Sequence, residues 1–337
     1  MQAQPTDNAA ALASAAAIAA ARHRFGAALG QAQQALAIDP YQPGALAIRV
    51  DALTELGRYD AQLRALQQAD HRQPGLPITT RYSYAFELRG ELARADQILG
   101  RAGGVISPAN HAFVLTLQAD LDRRRGRLHR ASSDLRAALA SAPGYVPALV
   151  SRARLAIAQG RPEAALRRWE AVVSRLPLPE YLTELGELLL TLGRPTLAAD
   201  EFDVVDATTQ LLSRNGVNTD LESAIFEADH GSPARALESA RAEWGRRHSI
   251  HVADVLAWAL HRTGHDRQAL RYTRLATRLG TAEGRLWLHR GTIEAALGLT
   301  SDAREHLRRG LHVDPGLSPW QAAQGRAVLR RLGGGRS

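Results

Sequence analysis

Histidines at short spacing are the first residues of this 337-residue sequence that could do chemistry. His261 and His265 stand four residues apart and His248 and His251 three apart, which could place two imidazoles on one helical face as part of a metal site. However, His265 follows Gly264 in a predicted turn, no third ligand stands at helical spacing, and no His-Glu-x-x-His motif occurs. We therefore predict no metal site and no cofactor.

An acid and a base, Asp229 and His230, stand directly before Gly231 and could form two thirds of a catalytic triad. They fall at a predicted helix end, where both residue types often act as caps, and no serine occupies a nucleophile elbow. The chain contains neither lysine nor cysteine. This excludes the Schiff-base lysine, the P-loop lysine, the thiolate nucleophile, disulfides and Cys-ligated metal centres. The sequence therefore predicts a protein that is not an enzyme.

The elements that must position these residues repeat along the chain with a period of about 34 residues. Eight glycines mark the period, namely Gly57, Gly90, Gly126, Gly160, Gly193, Gly231, Gly264 and Gly298. Alanine stands five residues after seven of them, and small residues dominate seven residues before them. Apolar residues at helical spacing on both sides of each glycine predict two antiparallel helices that cross closely at the small residues.

This pattern resembles the tetratricopeptide repeat, in its bacterial type. The predicted ninth repeat shows the motif well, with Trp287, Gly291, Gly298, Ala303 and Pro315 in register. The resemblance implies an all-α fold, a right-handed α-solenoid of about nine helix pairs with a C-terminal capping helix. One repeat buries too little apolar surface to fold alone, so neighbouring repeats must stack into a single domain.

The resemblance extends over residues 9–316, beginning with a degenerate first repeat at about residues 9–42. Residues 1–8 are predicted to be a disordered N-terminus, residues 317–332 the capping helix and residues 333–337 a disordered tail.

One glycine spacing, from Gly193 to Gly231, stretches to 38 residues. Leu211 and Leu212 predict a lengthened second helix that ends at Asn215, and residues 219–222 match a capping box for the next helix. Two interpretations stay open: a longer helix that kinks the superhelix, or a segment, Asn215 to Gly231, that lines a functional site.

The net charge of +8 is distributed in bands, and all 42 basic residues are arginine. Residues 1–100 are neutral overall, 101–178 carry +8, 179–230 carry −9 and 231–337 carry +9. The acidic band interrupts any track that a phosphate backbone would follow, so nucleic acid is an unlikely partner. The cluster Arg123, Arg124, Arg125, Arg127 and Arg130 is predicted to be either an anion patch or a solvated turn.

The family usually holds a peptide or a partner helix in a concave groove lined by the first helix of each repeat. The resemblance therefore implies a non-catalytic scaffold or adaptor that binds a protein or peptide partner. Two alternatives are an RNA-binding helical-repeat protein and a recruiting subunit of an enzyme complex. By periodicity, the residues that face the groove are Asp51, Thr80, Tyr84, Glu87, Thr116, Asp120, Arg123, Arg154, Thr183, Glu187, Asp254, Trp258 and His261.

The partner segment is expected to present basic or amide groups to the acidic central repeats. No segment reaches the roughly 18 to 20 apolar residues of a membrane span, and the N-terminus lacks the features of a signal peptide. A cytoplasmic location is the default expectation, and export is the alternative if the chain is a processed mature form.

Overall fold

The computed structural model describes residues 5–102 and 107–333, with side chains from residue 8 onward. Within these ranges the chain forms nineteen α-helices and no strand. Eighteen of the helices form nine consecutive pairs, and the nineteenth follows the last pair. The all-α solenoid of nine helix pairs is therefore confirmed.

The first five repeats are α1 (Pro5–Ala21) with α2 (Phe25–Ile38), α3 (Pro43–Glu55) with α4 (Tyr59–Arg72), α5 (Leu76–Glu87) with α6 (Leu92–Leu99), α7 (Pro108–Arg124) with α8 (Leu128–Ser141), and α9 (Val146–Ala158) with α10 (Pro162–Val173). The last four are α11 (Pro179–Thr191) with α12 (Pro195–Arg214), α13 (Asp220–His230) with α14 (Pro233–Trp244), α15 (Ile250–Arg262) with α16 (Asp266–Ala276), and α17 (Gly284–Ala296) with α18 (Thr300–Val313). Helix α19 (Pro319–Gly333) ends the described chain.

The small residues of the repeat lie where the two helices of a pair cross. The alanines five residues after the turn glycines are fully buried, and so is Ala257, one of the small residues before them. At Gly291 an added Cβ would lie 2.6 Å from Leu307 of the partner helix. Larger side chains at these positions would separate the helices, which explains the spacing seen in the sequence.

The solenoid winds so tightly that residues about 190 positions apart meet. Ile250 donates its backbone N–H to the Tyr59 hydroxyl at 2.8 Å across 191 residues, and Arg123 donates to Asp314 at 2.6 Å across another 191. Arg247 pairs with Glu55 across 192 residues. These contacts between successive superhelical turns are called the turn contact below. Where the two turns touch, the chain therefore lacks the open groove that an extended solenoid would have.

The turn contact also has an apolar core. Tyr59 and Leu88 of the first turn pack in one cluster with Ile250, Ala253 and Leu286 of the second. All five side chains are buried. Burial of large apolar side chains typically contributes about 1.5 to 3 kcal/mol each, so this cluster stabilises the closed winding.

The long spacing before Gly231 lies at the same contact. Helix α12 has 20 residues, in agreement with the lengthened second helix that the sequence predicts. After it, Asn218 donates its backbone N–H to Arg22 O at 3.1 Å, and His23 Nδ1 lies 2.8 Å from Asn218 O. The extra residues therefore reach the end of α1. The predicted capping box is absent, because Thr219 makes no side-chain hydrogen bond at the start of α13.

Both ends of the described chain differ slightly from the sequence expectation. Helix α1 begins at Pro5 and not at residue 9, so residues 5–8 are helical. The C-terminal helix spans Pro319–Gly333 instead of residues 317–332. Residues 1–4 and 334–337 lie outside the described residues. Pro108 is the first residue of α7, where its missing N–H leaves no bond unmade.

Candidate functional site

A cavity of about 410 Å³ lies inside the superhelical turn and is called the inner cavity. Its walls are the ends of α7 and α9, helices α11 and α13, the first residues of α15 and α17, and residues 314–321. First helices of the repeats thus face inward. Four of the predicted groove residues line this cavity, namely Arg123, Arg154, Thr183 and Glu187.

Each arginine of the inner cavity lies beside a carboxylate of the chain. Arg123 donates to Asp314 at 2.6 Å and Arg124 to Glu87 at 2.6 Å. The two others are Arg154, which pairs with Glu184, and Arg285, whose Nε lies 3.4 Å from Asp254 Oδ2. The positive charge of the cavity is therefore largely neutralised from within.

Carboxylates remain in excess in the inner cavity. Glu180 is exposed at its wall, and the Oε2 atom of Glu222 is buried with no hydrogen-bond partner among the described residues. Burial raises the pKa of Glu187 and Glu222 above the usual range of a glutamate. A cationic group placed here would favour their ionised forms and satisfy the orphaned oxygen.

A segment of the chain itself, residues 314–320, crosses the inner surface. Asp314 is held by Arg123, and a side chain at Gly316 would collide with that same arginine. The Trp320 ring centroid lies 4.8 Å from that of His230, whose Nε2 is 3.1 Å from Glu187 Oε1. Helix α19 then packs against α11 and α17. The surface that the sequence predicts to be a groove is thus partly occupied by the C-terminal segment.

A second cavity of about 460 Å³, the seam cavity, lies between α15, α17 and α19. Trp258 and His261, both predicted groove residues, line it. The Trp258 indole N–H donates to Asp229 at 2.8 Å, and its ring stacks on His289 with centroids 4.1 Å apart. These aromatic rings are fixed by one another rather than free to receive a ligand.

Asp254, also predicted to face the groove, is fully buried behind this stack. Its Oδ1 lies 2.9 Å from His289 Nδ1. Burial opposes ionisation of this carboxyl, but the His289 imidazole and the Arg285 guanidinium outweigh burial and lower its pKa. Asp254 therefore positions His289 and does not itself line a cavity.

The remaining predicted groove residues are spread over the first turn. A third cavity of about 240 Å³ holds Thr80, Tyr84 and Glu87. Two of the others are aspartates that accept hydrogen bonds, Asp51 from Arg81 Nε at 2.7 Å and Asp120 from the Ser151 hydroxyl at 2.9 Å. Thr116 is buried, and its hydroxyl donates to the Ala112 carbonyl. The predicted positions thus fall in three separate cavities and at four internal contacts, not along one continuous groove.

The histidine pairs of the sequence are directed at carboxylates. His251 Nε2 lies 2.8 Å from Glu283 Oε1, and His261 Nδ1 lies 2.5 Å from Asp266 Oδ1. Burial opposes ionisation of Glu283, but the neighbouring His251 imidazole outweighs burial and lowers the pKa of Glu283 to about 2. Over residues 5–102 and 107–333 no group of three or more His, Cys, Asp or Glu side chains could hold a metal ion. Asp229 and His230 point to different partners, Trp258 and Glu187, so they do not act as a dyad.

The arginine cluster of α7 and α8 is a network of ion pairs. Arg125 and Arg127 both donate to Asp96, at 2.7 and 2.8 Å, and Arg130 Nε lies 3.1 Å from Asp122. Arg123 and Arg124 pair with Asp314 and Glu87. These cations thus join α5, α6, α7 and the second turn through ion pairs, and anion binding by the cluster stays a prediction.

Two of the helix pairs also match a known family. Residues 150–210 match the family model described as tetratricopeptide repeat. Residues 150–210, which lie in α9 to α12, are therefore similar to tetratricopeptide repeats. No curated protein sequence matches the chain. Within the described ranges, no helix combines the length and apolarity needed to cross a membrane.

Three solved structures illustrate what this protein is similar to. A tetratricopeptide repeat protein from Parabacteroides merdae is 21% identical over 75% of this chain and 97% of its own, with a TM-score of 0.42. Human IFIT1, solved as a dimer with PPP-AAAA, is 16% identical over 85% of this chain and 68% of its own, with a TM-score of 0.48. Yeast Tom70 is 10% identical over 97% of this chain and 89% of its own, with a TM-score of 0.42.

Sequence reasoning missed several residues of the inner cavity, including Glu180, Glu184, Glu222 and residues 314–318. The acidic band over residues 179–230 was the available signal for the glutamates. The C-terminal segment had no such signal, because its place depends on how far the solenoid turns.

Proposed function

We propose that this tetratricopeptide-repeat protein is a non-catalytic adaptor that binds a peptide segment of a partner protein in its inner cavity. The observation that carries the proposal is that the inner surface already holds a peptide, residues 314–320, through an ion pair and an aromatic contact. Protein binding is also the usual role of the repeat. A cytoplasmic location is part of the proposal.

The size and charge of the inner cavity define the partner segment. A volume of about 410 Å³ falls in the range of about 300 to 1,000 Å³ that is typical of ligand pockets. It admits a few side chains, whereas a whole helix would require α19 to leave. The excess of carboxylates, with Glu180 exposed and Glu222 lacking a donor, favours an arginine, lysine or terminal amine.

The test is comparative affinity capture from the native organism with nuclease-treated extract. We expect Glu180→Arg to lose a partner that the wild type retains, because the new cation repels a basic segment. Glu170→Arg is the matched control, since Glu170 is an exposed glutamate of α10 that lines none of the three cavities. Glu187 is unsuitable for this purpose because it is buried against His230.

A photo-crosslinker at Thr183 then identifies the partner peptide directly. Crosslinks to a basic segment of a protein lost by Glu180→Arg support the proposal. The same set of captured proteins for wild type and Glu180→Arg refutes the inner-cavity assignment. Capture that disappears on nuclease treatment would instead favour the RNA-binding alternative, and capture of an enzyme would favour the recruiting-subunit alternative.

A further inference from the structure

Each repeat consists of a first and a second helix, and among the second helices α12 has the smallest fraction of buried residues. It contains 20 residues, whereas the other second helices contain between 8 and 14. Only Ala198 and Val205 of α12 are buried, and the helix packs mainly against α11. Most of its circumference therefore faces solvent in the structure.

Three large apolar side chains form a line along this solvent-facing side. Leu197, Val204 and Leu211 are 51%, 42% and 61% exposed. They stand seven residues apart, which in an α-helix is nearly two full turns and places them on one face. A single exposed leucine is ordinary on a protein surface. Three at heptad spacing instead form the type of seam along which a second helix packs.

Carboxylates border this apolar line. By helical geometry Asp200 and Glu201 lie on its two sides, and Asp203 lies beyond Asp200. None of these three acids forms an ion pair with a residue in the described part of the chain. Burial and the charges of Asp200 and Glu170 raise the pKa of Glu201, as expected where acids lack a cationic partner.

We propose that the outer face of α12, formed by Leu197, Val204 and Leu211 with Asp200 and Glu201, docks a basic amphipathic helix of a partner protein. Apolar residues of that helix would cover the exposed line, and its arginines or lysines would meet the flanking acids. A second copy of the chain paired through the same helix would bring like charges together, which disfavours that occupant. The surface is distinct from the inner cavity, so it goes beyond the function proposed above.

The test uses a synthetic helical peptide of about three heptads with leucine at a and d and arginine at e and g. Arginines at e and g also keep the free peptide from pairing with itself. We expect fluorescence anisotropy to show binding to the full-length chain that weakens with salt. The triple variant Leu197→Ser, Val204→Ser, Leu211→Ser and the double variant Asp200→Lys, Glu201→Lys should each lower affinity by at least about tenfold.

Matched controls separate the seam from general stickiness. Ile18→Ser with Ile38→Ser removes two other exposed apolar residues, and Asp60→Lys with Asp302→Lys reverses two other exposed acids. Both control variants, and Glu180→Arg in the inner cavity, should bind the peptide as the wild type does. A peptide of the same composition with its leucines scrambled off one face should not bind.

Three results would overturn the proposal. The first is the absence of peptide binding, and the second is equal binding of the scrambled peptide or of a peptide with glutamate at e and g. The third is self-association of the wild type in sedimentation experiments that the triple serine variant abolishes, because a second copy would then be the occupant. Circular dichroism melts that match the wild type show that each variant is folded, as expected for exposed positions.

Discussion

Helices α15 and α12 belong to the same solenoid, yet nine of the 13 residues of α15 are buried and only two of the 20 residues of α12 are. Helix α15 begins at Ile250, whose N–H is bonded to Tyr59 of the first turn. Helix α15 therefore packs against its partner α16, against neighbouring helices along the solenoid and against the first turn. Helix α12 lies outside the turn contact and faces solvent.

The difference shows that winding, more than composition of each helix, decides which residues of this chain are interior. In an open solenoid each repeat touches only its neighbours. Here the second turn covers the first, so a carboxylate such as Glu243 is buried and pairs with Arg247, which in turn reaches Glu55 of the first turn. The acids of α12 remain on the surface without such partners.

The largest expected contrast is between two aspartates, one in each helix. Asp254→Ala should lower the free energy of unfolding by about 3 to 5 kcal/mol, because Arg285 and His289 lose their carboxylate. Asp203→Ala in α12 should change it by less than about 0.5 kcal/mol, since Asp203 is exposed. Urea denaturation followed by circular dichroism measures both. Equal midpoints for the two variants would contradict the assignment of α15 to the interior.

The next contrast tests the turn contact as the cause of that burial. Gly57 and Gly160 both have left-handed backbone conformations, with φ of +72° and +67°. Alanine at Gly160 meets nothing within 4 Å, so only the left-handed conformation is penalised, by about 1 to 2 kcal/mol. Alanine at Gly57 would also overlap the His248 carbonyl of the second turn, adding about 1 to 3 kcal/mol of overpacking.

Small-angle X-ray scattering distinguishes the two glycine variants. Gly57→Ala should increase the radius of gyration, because relieving the overlap requires the turns to separate. Gly160→Ala should scatter like the wild type even though it is less stable. If Gly57→Ala leaves the scattering unchanged, the two turns do not depend on this close approach.

The helix pairs could be predicted from the sequence because their signals are local. A turn glycine and a small residue at each crossing are needed inside every repeat, so they recur at a fixed spacing and give the register directly. Ala257 is an example, since it was assigned to a close crossing and is fully buried there. Trp287 and Leu307 likewise occupy the buried positions of the ninth repeat.

The turn contact could not be predicted, because it depends on small rotations summed over several repeats. Gly57 and Gly160 look alike in the sequence, yet only Gly57 touches the second turn. In the seventh repeat, Glu243 and His248 both lie at the contact. Glu243 pairs with Arg247, which reaches Glu55, and His248 N lies 3.4 Å from Leu56 O. The periodicity of the sequence predicts which side of each helix faces inward, but it does not predict which residues the second turn covers.

The smallest expected effect belongs to the outer face of α12. Leu211→Ala should change the free energy of unfolding by less than about 0.5 kcal/mol, because the side chain is 61% exposed. Leu260→Ala in α15, where the leucine is 2% exposed, should lower it by about 2 to 5 kcal/mol. The same denaturation experiment at two protein concentrations measures both. A concentration-dependent loss for Leu211→Ala would mean that a second copy covers α12 in solution, and the contrast with α15 would then hold only for the isolated chain.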